Sequence, residues 1–142
     1  MKIRQATTDD AAAIQRLLVQ LGYPDLTAPE VARKISAYTK SSYSILVGEV
    51  NSNIIGFISL HWFEIFHSTG RIGRISAFCV DEGFRSQGFG RKLLEAAETL
   101  LIEKDCTKLE VTSNIRRMRT HEFYVDRGYG EDSRRFTKYV NR

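Results

Sequence analysis

Apolar positions in the first forty residues recur at helical spacing. Ile14, Leu17, Leu18 and Leu21 share one stripe after the acidic start at Thr7, Thr8, Asp9 and Asp10, and Gly22-Tyr23-Pro24 stops the run. "TAPE", Thr27 to Glu30, then has capping-box spacing with Pro29 tolerated in a first turn, and Val31, Ile35 and Tyr38 form the stripe of a second helix. From Tyr43 the texture changes to that of strands. "YSILVGEV" and "IIGFISLHWF" read as a hairpin around an Asn/Ser turn, and "RISAFCV" is a third strand after a loop carrying His67, Ser68 and Gly70. Helical spacing resumes from Phe89 through Leu93, Leu94, Ala97, Leu100 and Leu101. "TKLEVTS" follows as a strand, "RRMRTHEFYVDRG" as a helix ending at a glycine, and "RRFTKYV" as a last strand. With an edge-like strand at "MKIRQAT", the order is β α α β β β α β α β. It predicts a mixed α/β (α+β) domain of one sheet flanked by helices, without repeats or linkers.

Composition narrows this only a little. A chain of 142 residues suits one domain, 1–142, and 42% apolar with 27% charged residues is the composition of a packed chain. No apolar run approaches the roughly 20 residues that span a bilayer, and "MKIRQATTDD" lacks a signal-peptide apolar region, so a cytoplasmic protein without a membrane partner is expected. Cys79 and Cys106 are not spaced as a metal knuckle and read as reduced packing cysteines; no metal is expected. The formal charge of +4 favours contact with anions. Its cations gather in short clusters, including Arg71/Arg74, Arg85/Arg91/Lys92, Arg116/Arg117/Arg119 and Arg134/Arg135, rather than in the long basic arm of a nucleic-acid binder. No nucleic-acid partner is expected.

One cluster sits at a helix mouth. In "VDEGFRSQGFGRKLL", Val80 to Leu94, three glycines and three cations stand between a strand and a helix whose first amides lack partners and carry the positive end of the helix dipole. Glycines let an anion approach the backbone closely. Gly83 and Gly88 have Walker A spacing, but Phe89-Gly90 stands where Lys-Ser/Thr is required, so a triphosphate loop is excluded. A dinucleotide fingerprint fails at Leu93, where its third glycine belongs. A tight strand-to-helix turn with solvated cations satisfies the same residues.

Arg85, Gly88 and Gly90 fit the (Arg/Gln)-x-x-Gly-x-(Gly/Ala) core of motif A in the GNAT superfamily of N-acetyltransferases, and the stretch resembles that motif. "IIGFISL" is similar to the family's third strand, and "HEFYVDRGY" to its motif B. The element order matches over nearly the whole chain. The resemblance implies a GNAT-like fold: a mixed, mostly antiparallel twisted sheet of about six to seven strands, about four flanking helices, and a splayed strand pair that holds acyl-CoA.

The resemblance also implies roles. Phe78, Cys79 and Val80 would meet the pantetheine arm of acetyl-CoA through their main chain, beside a β-bulge. Backbone amides of Arg85, Ser86, Gln87, Gly88, Phe89, Gly90 and Arg91 would cradle the pyrophosphate. Asn114 matches a position that often contacts the CoA arm. Acetyl transfer to an amine proceeds in this family by direct attack in a ternary complex, so Cys79 need not be a nucleophile. Tyr124 matches the family's general-acid tyrosine; a phenol with a reference pKa of about 10 keeps its proton at neutral pH. Glu64, His61, His67 and Glu110 are all candidates for the base because they lie on or near strands bordering the expected cleft, with Glu64 and His67 chosen for testing. Trp62, Phe63 and Phe66 wall a pocket or simply pack. The expected acceptor is a small-molecule primary amine; a protein or peptide acceptor and a noncatalytic acyl-CoA sensor are the alternatives, and the family resemblance admits a homodimer.

Overall fold

The computed structural model describes residues 1–112, 118–132 and 135–140. It forms two compact units, Met1–Val111 and Thr112–Arg142. The first unit contains strands β1 (Lys2–Gln5), β2 (Tyr43–Val50), β3 (Asn53–Glu64), β4 (Arg71–Val80) and β5 (Cys106–Val111), with helices α1 (Ala11–Leu21), α2 (Ala28–Ala37) and α3 (Phe89–Glu103). The strands form a single sheet in the order β1-β2-β3-β4-β5. The first four pair antiparallel. Strand β5 pairs parallel with β4 because α3 carries the chain back before β5 begins.

Local chemistry explains the elements. Thr27 and Glu30 form the capping box read from "TAPE": the Glu30 amide donates to Thr27 Oγ1 at 3.3 Å, and the Thr27 amide donates to Glu30 Oε1 at 3.1 Å. The β2–β3 hairpin turns on Asn51 and Ser52, at φ +49° and +66°. Two left-handed residues in succession are the backbone of a two-residue hairpin turn. Ile14 and Leu17 of α1 with Val31 and Ile35 of α2 cover Val47, Phe57 and Cys79 on one face of the sheet. Leu93, Leu94, Ala97 and Leu101 of α3 are fully buried. A Cβ at Gly56 would stand 2.8 Å from Leu93 Cδ1, so the absence of a side chain there lets α3 approach the strands on the other face.

A charged knot ties β1 to the start of α1. Arg4 donates to both oxygens of Asp10 at 2.8 and 2.9 Å and to Glu49 at 3.1 Å, while the Thr7 amide donates to Asp10 at 2.8 Å. Asp10 is buried, and the Arg4 guanidinium, opposed by burial and assisted by the Thr7 amide, holds its carboxyl below the usual carboxylate range.

In the second unit, α4 (Met118–Asp126) ends in a turn through Gly128 at φ +91°, where the Tyr129 amide donates to the Tyr124 carbonyl at 3.0 Å. Two strand expectations are corrected. The sheet has five strands among the described residues rather than six to seven, and residues 135–140 of "RRFTKYV" are not a strand. Phe136, Tyr139 and Val140 are largely exposed, so this segment lacks the buried face that fixes a half-buried strand. Strand β4 also begins earlier than read, at Arg71. No described helix is long and apolar enough to cross a membrane.

Candidate functional site

The ladder between β4 and β5 stops short of the end of β4. Its last rung is Ile75–Val111, whereas β4 continues against β3 to Val80. At that point β4 carries one extra residue: Ser59 pairs with Ala77 and Leu60 with Ile75, leaving Ser76 as a bulge. The hydroxyls of Ser59 and Ser76 lie 2.8 Å apart and pin the bulge. Beyond it, the Asp81 amide donates to the Ile55 carbonyl at 2.7 Å. Alternation therefore turns the main chain of Phe78 and Val80 to the side that β5 has left. The main chain of Cys79 turns the opposite way, to Phe57 of β3, and its side chain enters the core beneath α1, with its thiol 3.4 Å from the Leu17 carbonyl. Its side chain packs.

The parted edge runs directly into the glycine-rich turn. Asp81 Oδ1 accepts the Gly83 amide at 2.9 Å, and Gln20 of α1 accepts the Glu82 amide at 3.0 Å. Arg85 folds back so that Nε donates to the Val80 carbonyl at 2.9 Å, closing the turn on the strand end. Ser86 and Gly88 both have left-handed backbones, at φ +63° and +85°. Helix α3 makes its first amide bond from Lys92 to Gly88 at 3.2 Å, so the amides of Phe89, Gly90 and Arg91 at its mouth precede the intrahelical ladder. A Cβ at Gly88 would meet nothing within 4 Å: it would project into open space at that mouth. Ser86, Gln87 and Arg91 are exposed there, and Phe89 is half-buried against Phe84, ring centroids 6.0 Å apart.

The base candidates separate into two places. Glu64 pairs with Arg71 at 3.8 Å at the far end of the β3–β4 ladder, beside a shallow depression lined by Ser68, Thr69 and Asp105. At about 3.4 Å per strand residue, Arg71 stands about 24 Å along β4 from Phe78. His67 is exposed in the connecting loop at that same end, as is Phe66. Trp62 is buried and Phe63 exposed, so the three aromatic residues do not form one wall.

His61 and Glu110 lie much nearer the bulge. Cross-strand register aligns Tyr43, His61, Arg74 and Glu110 in one row across four strands. Arg74 donates to Glu110 Oε1 from Nε at 2.6 Å and also from Nη2, and its guanidinium lies over Phe63, 5.2 Å from the ring centroid. His61 stacks between Tyr43 and Phe63, at 5.7 and 5.8 Å, and its Nδ1 is buried without a hydrogen-bond partner among the described residues. Burial, and then the Arg74 charge, hold its pKa below the ordinary histidine value. The Arg74–Glu110 pair was missed as a unit in the sequence. Both residues were visible, but only register makes them neighbours.

Tyr124 is a buried residue of α4, in edge contact with Phe123 and Tyr129 at 5.6 and 5.7 Å. Asn114 lies outside the described residues, as do Arg116, Arg117 and Arg134.

A family model described as the acetyltransferase (GNAT) family matches residues 11–129. The chain is 29% identical to the aminoalkylphosphonate N-acetyltransferase of Salmonella typhimurium over 138 residues, covering 96% of this chain and 90% of that one. Its fold is similar to that of glucosamine-6-phosphate N-acetyltransferase from Arabidopsis thaliana, with a TM-score of 0.84 at 24% identity over 99% and 98% of the two chains. It is likewise similar to an aminoglycoside N-acetyltransferase in complex with CoA, with a TM-score of 0.85 at 14% identity over 99% and 94%.

Proposed function

The chain belongs to the acetyltransferase (GNAT) family, a family of N-acetyltransferases, and we propose that it moves an acetyl group from acetyl-CoA to a primary amine of a small molecule. One observation carries this reading: a strand edge abandoned by its neighbour leads straight into a helix mouth of unladdered amides. A thioester arm needs main-chain partners along an extended path, and a pyrophosphate needs convergent N–H donors with the positive end of a helix dipole. The residues fit both needs. The space beyond Gly88 Cα is open, and its φ of +85° favours a residue without Cβ, which leaves room for an anion against the backbone.

In this reading Phe78 and Val80 hold the pantetheine arm through their main chain, while Cys79 between them turns its main chain to β3. The amides of Arg85 through Arg91 hold the pyrophosphate, with Asn114 as a further contact. Bound acetyl-CoA supplies an activated acetyl thioester. Main-chain donors at the parted edge favour negative charge at the carbonyl oxygen, and Tyr124 holds the proton of the general acid. Support for a small acceptor comes from the relative that acts on aminoalkylphosphonates, matched over almost its whole length.

A screen of acetyl-CoA consumption against polyamines, amino acids, aminoglycosides, aminoalkylphosphonates and peptides tests the proposal. Turnover with a small amine is expected. Acetyl-CoA binding with no transfer to any amine would make the chain a sensor, and turnover confined to peptides would replace the small acceptor.

A further inference from the structure

We propose that Arg74 and Glu110 form the acceptor subsite and that it takes a zwitterionic small molecule, with the acceptor's ammonium on Glu110 and an anionic group on Arg74. The inference rests on the acetyl-CoA reading and names the acceptor class of that same site. Its first ground is position. Arg74–Glu110 is the rung immediately before Ile75–Val111, where β4 and β5 part. Two residues after Arg74 comes the Ser76 bulge. An acetyl group held along the parted edge therefore has this ion pair beside it, whereas Glu64–Arg71 stands at the other end of the ladder.

The second ground is how the pair is made. Arg74 directs both Nε and Nη2 at the same oxygen, Glu110 Oε1. Among the described residues, neither Glu110 Oε2 nor Arg74 Nη1 has a hydrogen-bond partner. The two side chains are 35% and 29% exposed, so each ion keeps an accessible face. A guanidinium whose Nη1 keeps both N–H donors unused suits a carboxylate, phosphonate or phosphate, and a carboxylate with a free oxygen suits an ammonium.

The surrounding charges decide between acceptor classes. Tyr43 from β2, His61 and Phe63 from β3, and Ser76 from β4 flank the pair. Lys108, two positions before Glu110 on β5, is exposed and is the nearest further charge along that strand. His61 adds none at neutral pH, since burial and Arg74 disfavour its imidazolium. The row therefore offers one cation and one anion. A polyamine would place its second ammonium against Arg74 without a second carboxylate to receive it, and a simple alkylamine would leave Arg74 unused.

The test compares kcat/KM for β-alanine and 3-aminopropylphosphonate with n-propylamine and 1,3-diaminopropane, using the full chain and acetyl-CoA. At least one anion-bearing amine is expected to exceed both comparison amines by about tenfold or more, a difference of about 1.4 kcal/mol. Arg74→Met is expected to abolish that preference, Arg74→Lys to retain part of it, and Arg71→Met at the distant pair to leave it intact. If Arg74→Met does not fold, Arg74→Lys decides the same point: a reduced preference, read as a raised KM for the anionic amines, supports the subsite, and an undiminished preference overturns it. Equal or better use of propylamine or diaminopropane overturns the subsite while leaving the acetyl-CoA reading standing. Failure to bind acetyl-CoA overturns both.

Discussion

Asp10 shows how much one side chain sets in this protein. Its carboxylate accepts from Arg4 and from the Thr7 amide while buried, so protonation removes three hydrogen bonds' worth of charge at the junction of β1 and α1. Its folded pKa lies below the unfolded value of about 3.9, so its contribution to stability is full above that value and is lost as pH falls through the folded pKa. Thermal unfolding between pH 7 and pH 3 should show a falling Tm on the acid side. Asp10→Asn should lower Tm at pH 7 and flatten that acid limb; an unchanged slope would contradict the assignment. Tyr124→Phe, in contrast, should lower kcat much more than it weakens acetyl-CoA binding, and equal losses would remove the phenol from the chemistry. Single residues were unevenly legible. Thr27 and Glu30 announced their cap by spacing alone, because a capping box is local. Arg74 and Glu110 are 36 residues apart, and nothing short of the β4–β5 register brings them together.

At the scale of elements, the glycine-rich turn and the bulge divide the work. Gly88 faces open space, so Gly88→Ala meets no neighbour and acts through its left-handed backbone and the room it occupies at the helix mouth. It should raise the Kd for acetyl-CoA about tenfold or more with a small change in Tm; unaltered affinity would detach the turn from the donor. Ser59→Ala removes the hydroxyl that meets Ser76 and should cost about 1 kcal/mol of stability, the worth of a typical intramolecular hydrogen bond, with a larger loss of kcat. Elements themselves were readable wherever a buried stripe enforces a period, as in α1, α2 and α3. "RRFTKYV" was misread because its apolar residues imply a face to bury, and Phe136, Tyr139 and Val140 are exposed instead. The bulge was expected only from family resemblance, since an extra residue in a strand leaves no trace in alternation over so short a run.

Across the whole molecule, the central feature is a sheet that stops pairing halfway along one strand and hands its exposed edge to a helix mouth. Antiparallel β1 to β4 and the layers on both faces hold that strand in place, and the parallel β5 supplies the departure. The proposed acetyl-CoA site follows from this arrangement, and the proposed acceptor subsite from the side-chain row beside it. Calorimetric titration of acetyl-CoA into the purified protein tests the central claim most directly. Saturable binding with about one site per chain, weakened by Gly88→Ala, is the expected result; no measurable binding would contradict it.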